Sequence, residues 1–248
     1  MAAEARRTIK TVTGAGGQGR DIYDQAIDPS RSTLDSARLI ADRAEKAQID
    51  FLFTADLLRF GAQGAIGSQE PLMFVSALAG LTSRIGLIAT VSTTFHHPFN
   101  LARFFGTLDH LSNGRAAWNL VTSSIGEENY GMELPAPEDR YAQAAESLDV
   151  AHALWDSWKD GALTPDSRGK AVLDSSKVLP IDHSGRFFSV QGPLNIPPLP
   201  QGRPVQIQAG QSEAVVDEFS RSVKSALHDD LNLLYPALEA QFAAEAAN

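Results

Sequence analysis

The run Ile85-Gly86-Leu87-Ile88-Ala89-Thr90-Val91 constrains this chain more than any other stretch. It is continuously aliphatic rather than alternating, the pattern of a parallel strand buried on both faces. Parallel neighbours need long crossover connections, so such a strand commits the chain to helices lying outside a sheet. The run ends in Ser92-Thr93-Thr94, three polar residues where an α/β sheet gathers its chemistry.

Strand and helix patterns alternate on either side. From Ser32 to Ile49, Ala37, Ile40, Ala41, Ala44 and Ala47 recur at helical spacing, and Ser32 stands three residues before Asp35 as in a capping box. Phe51 to Thr54 reads as a buried strand ending at Ala55-Asp56, followed by a Gly-rich loop, Gly61 to Gly67. Pro71 suits a first helical position, and Leu72 to Leu81 is apolar nearly all round. Pro98 opens a further helix that is expected to turn Leu101, Ala102, Phe104, Phe105, Leu108 and Leu111 inward and to stop at Asn113-Gly114.

Arg115 to Leu120 resumes as strand, with Trp118 and Asn119 inside it and Thr122-Ser123-Ser124 after it. A long helix is expected around Asp139 to Lys159, carrying Tyr141, Ala144, Leu148, Ala151 and Trp155 on one face. Between Gly161 and Pro204 the periodicity dissolves, apart from a short β-like piece at Phe187 to Val190. Val205 to Gly210 is the next strand, with a helix starting near Ser212. Thr8 to Val12 is a further candidate strand. The class is therefore α/β, either doubly wound or a (β/α) barrel, with hydroxyls, amides and one carboxylate, Asp56, at the strand ends.

Charge removes several partners. Lys and Arg number 21 against 30 Asp and Glu, a net charge of −9, with no local basic run. Nucleic acid and anionic membrane both require a basic footprint, so neither is expected. There is no cysteine, hence no thiolate metal site or thiol nucleophile, and we expect a soluble cytoplasmic protein.

Other constellations compete weakly. Gly14-Ala15-Gly16-Gly17-Gln18-Gly19 spells a dinucleotide fingerprint, but Pro29 interrupts the helix that should follow and Asp56 lies beyond the usual acidic offset. An NAD(P)-binding doubly wound domain on Gly14, Gly16 and Gly19 stays an alternative. His96 and His97 are adjacent, so their side chains diverge, and none of the six histidines has metal-ligand spacing; His97 suits the start of a helix instead. Asp56 alone has an equally ordinary reading as a helix cap. Ser123 and Ser124 lack the nucleophile elbow of serine hydrolases. The helix start at Ser212, after Gln208-Ala209-Gly210-Gln211, suits a phosphate group.

DFLFTADLL, ALAGLTSRIGLIATVSTTFHHPFNLARFFGTLDHLSNGRAAWNLVTS, DRYAQAAESLDVAHALWDSWKDGA, KVLPIDHSGRFFSVQGPLN and PQGRPVQIQAGQSE resemble, in order, the bacterial-luciferase-like flavin monooxygenases. The nearest branch resembles the nitrilotriacetate, EDTA and dibenzothiophene-sulfone monooxygenases, and the likeness runs from about Ser32 to Glu213. The resemblance implies a TIM-like barrel that binds reduced FMN delivered by a separate NAD(P)H:FMN reductase. With O2 as co-substrate, the flavin would oxidise a small organic molecule such as an aminopolycarboxylate or a sulfone. It also implies flavin contacts at Asp56, Thr93, Asn119, Tyr141 and Ser212, with Tyr141 and Ser212 toward the phosphate. No metal is implied, and the catalytic group is not identified.

The chain departs from the family pattern in three places. A histidine expected four residues before the tyrosine is Pro137, and the first strand is polar rather than apolar. After Glu213 the likeness stops, and 214–248 is an acidic, Ala-rich stretch with helical spacing. We therefore expect an incomplete barrel in three parts: a Gly-rich segment 1–31, a partial barrel domain 32–213 with an irregular insertion at 161–204, and a helical tail 214–248. A non-catalytic truncated fragment, or a binding or homo-oligomerisation module, is the competing reading.

Overall fold

A computed structural model gives the fold, and it describes residues 11–14, 32–46, 49–60 and 69–208. Gly16, Gly19 and Ser212, and with them the fingerprint loop and the phosphate-facing helix start, lie outside the described residues.

Strands β1 (Thr11–Gly14), β2 (Phe51–Thr54), β3 (Gly86–Ser92) and β4 (Ala116–Val121) alternate with helices α1 (Thr33–Lys46), α2 (Pro71–Ala79), α3 (Pro98–Ser112) and α4 (Pro137–Trp155). Two small hairpins follow, β5 (Leu163–Pro165) with β6 (Ala171–Leu173), and β7 (His183–Ser184) with β8 (Ser189–Val190). Strand β9 (Val205–Ile207) then returns to the main sheet. That sheet is wholly parallel, in the order β1-β2-β3-β4-β9. A doubly wound sheet reverses direction at a switch point, whereas here each strand is added beside the last, which is the winding of a (β/α) barrel.

Register and alternation divide the sheet into two faces. Leu52, Leu87, Ala89, Val91, Ala116, Trp118 and Leu120 are buried and turn toward the helices. Trp118 stacks on Phe105 of α3 with ring centroids 5.1 Å apart, and its indole N–H donates to the Val91 carbonyl at 3.1 Å. The opposite face carries Phe51, Phe53, Ile88, Thr90 and Asn119, with Val205 and Ile207 from β9. Gly86 is required there, because a Cβ would lie 2.4 Å from the Phe51 ring with which it pairs.

The capping signals act as read. Ser32 Oγ accepts from the Asp35 N–H at 3.1 Å and donates to its carboxylate at 2.7 Å. Asn113 adopts the left-handed conformation that closes α3, and Pro71 and Pro98 each open a helix. The α2 cap is Glu70, not Asp56.

Three expectations need correction. Phe104 and Leu111 do not face inward; they are 38% and 58% exposed, so the buried stripe of α3 is narrower than its apolar positions suggest. Helix α4 spans Pro137–Trp155 rather than Asp139 to Lys159, because Pro137 takes the first helical position and Asp156 caps the end. The β-like piece at Phe187 to Val190 is strand only at Ser189–Val190. The rest of 161–204 is folded by anchors rather than by repeating pattern: Asp109, fully buried on α3, accepts from the Gln201 N–H at 3.0 Å, and Trp158 donates to the Leu194 carbonyl at 2.8 Å.

Candidate functional site at the carboxyl ends of the strands

The β3 and β4 ends are joined side chain to backbone. Thr93 is completely buried, and both its N–H (3.0 Å) and its Oγ1 (3.2 Å) donate to the Val121 carbonyl. On the open face, Asn119 Nδ2 donates to Thr90 Oγ1 at 2.9 Å. The remaining amide oxygen of Asn119 and the hydroxyl of Thr94 are buried and have no partner among the described residues. An unsatisfied buried polar atom costs about 1–3 kcal/mol unless water or a ligand meets it.

Helix α4 is fixed against the same ends. Arg140 Nη1 donates to the Ser123 carbonyl and, at 3.4 Å, to that of Thr122, while Gln143 Nε2 reaches the Thr93 carbonyl at 3.4 Å. Tyr141 lies between these anchors and is half-buried. Glu146, further along α4, accepts from the Phe187 and Phe188 N–H groups at 3.0 and 2.9 Å and meets His183 Nε2 at 3.0 Å. Burial opposes ionisation of Glu146, but these partners hold its carboxyl below the usual range.

Asp56 follows β2 and is half-buried. Burial, reinforced by the nearby Glu70 carboxylate and opposed by the Leu57 N–H, pushes its carboxyl up to about 6. Glu70 is committed to the α2 N-terminus, accepting from Leu72 N at 3.1 Å and Met73 N at 2.6 Å. A strap from the β4–α4 connection lies across this end. Arg59 grips Glu128 at 2.6 and 3.0 Å, and Asn129 Nδ2 donates to the Leu58 carbonyl at 2.7 Å. Gly126 passes Leu58 at a positive φ of 98°, where a Cβ would meet the Leu58 side chain at 2.5 Å. Tyr130 stacks flat on Phe95, centroids 4.1 Å apart and planes within 1°. Burial, followed by the charges of Asp56 and Glu70, raises the Tyr130 hydroxyl above its ordinary value.

Of the five residues singled out from sequence, Asp56, Thr93, Asn119 and Tyr141 therefore stand along one edge of the sheet, at the ends of β2, β3 and β4 and the start of α4. His97 is a helix cap, its Nδ1 accepting from the Phe99 N–H at 3.3 Å. Sequence reading passed over the Phe95–Tyr130 pair and the Arg140 and Gln143 tethers. Arg140 adjoins Tyr141 in the quoted DRY motif, but nothing in the sequence pairs Phe95 with Tyr130. Among the described residues, no His, Asp and Glu cluster is able to hold a metal ion. No described helix is long and apolar enough to cross a membrane.

The luciferase-like monooxygenase family matches residues 12–221, and the chain belongs to that family. The match takes in β1, so the polar first strand is part of the family fold. N-acetyl-S-(2-succino)cysteine monooxygenase of Bacillus subtilis (strain 168) is 39% identical over 222 residues, covering 84% of this chain and 49% of the relative. Nitrilotriacetate monooxygenase component A of Aminobacter aminovorans is 40% identical over 192 residues, 70% of this chain and 42% of the relative, and belongs to the branch that the motifs resemble. The crystal structure of a riboflavin lyase with modified FMN and its substrate riboflavin superposes with a TM-score of 0.72 at 30% identity, covering 84% of this chain and 51% of that one. The chain spans about half the length, or somewhat less, of these curated relatives.

Proposed function

We propose that this chain is the oxygenating component of a two-component FMN-dependent monooxygenase. It would take reduced FMN from a separate NAD(P)H:FMN reductase, use O2, and oxidise a small organic substrate in the cytoplasm. The observation that carries this reading is the pair of buried atoms without a partner among the described residues, Asn119 Oδ1 within β4 and Thr94 Oγ1 just past the end of β3. Both accept hydrogen bonds, and a flavin offers N–H groups on its ring and hydroxyls on its ribityl chain. The residues present thus suit the cofactor.

Asp56, Thr93 and Asn119 would contact the ring and ribityl chain, with Tyr141 toward the phosphate; Ser212 lies outside the described residues. When bound, reduced FMN supplies the electrons with which dioxygen is activated. The chain orients the flavin, excludes water and handles protons. Asn119 is held in one orientation by its bond to Thr90, so its free oxygen is aimed before a ligand arrives. Asp56, with its carboxyl near 6, changes protonation within the working pH range and would hold or release a proton at the ring edge. Pro137 fills the first turn of α4 where the resemblance expects a histidine, so the flavin would be held without that side chain.

The test is an anaerobic titration of the full chain with photoreduced FMN, followed by absorbance. Saturable binding at micromolar concentration is expected, and oxygen uptake with a flavin reductase and NADH should then depend on added substrate. No binding of reduced FMN would reject the reading.

A further inference from the structure

Arg140 is a cation without an anion. It is half-buried in the first turns of α4, where its Nη1 donates to the Ser123 carbonyl and, at 3.4 Å, to that of Thr122. Its Nε–H is buried and meets no acceptor among the described residues. Nor does any described carboxylate stand within ion-pair distance of the guanidinium. The acids nearest in sequence are placed elsewhere: Asp139 accepts from Arg186 Nη2 at 2.8 Å, Glu138 is exposed, and Glu127 and Glu128 face Arg59.

Arg103 on α3 shows what this arrangement lacks. Its Nε–H is buried without a partner too, but its guanidinium stands 6.0 Å over the Phe99 ring, whose face answers the charge. Among the described residues no ring does this for Arg140. Water would satisfy the N–H and leave the charge uncompensated, whereas an oxyanion satisfies both, and a charge-assisted hydrogen bond is about twice as strong as a neutral one. The two carbonyls at the end of β4 also fix the guanidinium in advance, one residue before Tyr141, so little side-chain freedom is lost when a ligand arrives.

We infer that Arg140 is an anion-binding residue of this site, its Nε–H donating to an oxyanion of the bound ligand. Two ligands of the proposed reaction present one: FMN through its phosphate, and a substrate that bears a carboxylate. The inference rests on the flavin-monooxygenase reading only for which molecules bring the oxyanion.

The experiment compares the full chain with Arg140→Gln and Arg140→Lys, circular dichroism confirming that each folds. Glutamine removes the charge; lysine keeps it, with a donor for the carbonyls but no Nε–H. The probes are reduced FMN and reduced riboflavin under anaerobic conditions, nitrilotriacetate by saturation-transfer NMR, and inorganic phosphate by its effect on the melting temperature. If the phosphate of FMN is the oxyanion, the parent binds FMN about tenfold or more tightly than riboflavin, Arg140→Gln binds the two alike, and Arg140→Lys lies between. If a substrate carboxylate is the oxyanion, the preference for FMN survives and nitrilotriacetate binding is lost in Arg140→Gln. An FMN-to-riboflavin ratio and a nitrilotriacetate affinity that are both unchanged in Arg140→Gln would overturn the inference and leave the Nε–H to water. So would a parent that binds FMN no better than riboflavin and does not bind nitrilotriacetate, a result that needs no variant. If the parent binds no flavin, the cofactor reading alone falls. Inorganic phosphate then decides: stabilisation of the parent that is lost in Arg140→Gln upholds the anion site, and stabilisation that is absent or unchanged rejects it.

Discussion

Asn119 donates to Thr90 across the β3–β4 pair at 2.9 Å and leaves its amide oxygen buried without a partner. Half of a buried amide is thus spent on rigidity and half is held in reserve. Replacing Asn119 by Leu removes the unsatisfied oxygen at nearly constant volume but also takes away the donor to the buried Thr90 hydroxyl, so thermal stability should fall by no more than about 3 kcal/mol. Affinity for reduced FMN should fall at least tenfold. A large loss of stability with unchanged flavin affinity would show that the amide serves the fold alone.

Asp56 gives a pH dependence of defined sign. Its carboxyl is raised from 3.8 to about 6 in the folded chain, so between those values the native state binds more protons than the unfolded one. Stability from this group is therefore complete below about pH 4 and declines as pH rises through 6. Asp56→Asn should melt about 2–4 °C above the parent at pH 8, a figure already reduced for solvent screening, and level with it at pH 4. Calorimetry at the two pH values decides it. The same substitution should flatten any pH profile of oxygen uptake centred near 6.

The strap over the strand ends rests on one exposed ion pair and a few backbone contacts. Arg59 and Glu128 are each 45% exposed, so their pairing adds little to global stability. Arg59→Ala should leave the melting temperature within about a degree while exposing 122–136 to limited proteolysis. Cleavage mapped by mass spectrometry should fall between Glu127 and Met132. Unchanged resistance there would mean that Tyr130 on Phe95 and Asn129 on Leu58 hold the strap unaided.

Where a segment's structure follows from local chemistry, the sequence shows it. The aliphatic run of β3, the Ser32–Asp35 box and the prolines at the starts of α2 and α3 are all local, and each appears where its residues indicate. Barrel winding was not separable from a doubly wound sheet by pattern, because both share one alternation; only the strand order distinguishes them. The hairpins within 161–204 have strands of two or three residues, too short for any period to register. The site divides similarly. Asp56 and Thr93 directly follow the strands and Asn119 lies within one, and all three positions are legible as such. Tyr130 and Phe95 meet only because the β4–α4 connection folds back over β3, and no spacing records that.

Phe105 tests the helix side of the sheet. It is fully buried and stacked on Trp118, itself fully buried. Phe105→Ala should cost about 3–5 kcal/mol through lost burial and a residual cavity. Because the indole N–H remains tied to Val91, Trp118 should keep its place, and the loss of its stacking partner should appear as a changed fluorescence emission before unfolding begins. A cost under 1 kcal/mol would mean that α3 is not docked on β4 as described.

Glu45 is the last group whose titration reports on the fold. From α1 it accepts from the backbone N–H groups of Ser83 (2.8 Å), Arg84 (2.6 Å) and Ile85 (3.1 Å), stitching the α2–β3 turn to the helix before it. Burial disfavours its charge, but the donors at Arg84, Ile85 and Ser83 together outweigh that and bring the carboxyl from 4.5 down to about 2. The sign is opposite to that of Asp56: the stabilisation is complete above about pH 4.5 and is lost as pH falls toward 2. Glu45→Gln keeps the shape and one acceptor oxygen while removing the charge, and should cost about 1 kcal/mol at pH 7 after solvent screening is allowed for. The parent and the variant should converge as the pH is lowered toward 2. Urea unfolding at pH 7 and pH 3 measures both, and a cost that stays constant between them would show that the carboxylate charge plays no part in holding the turn.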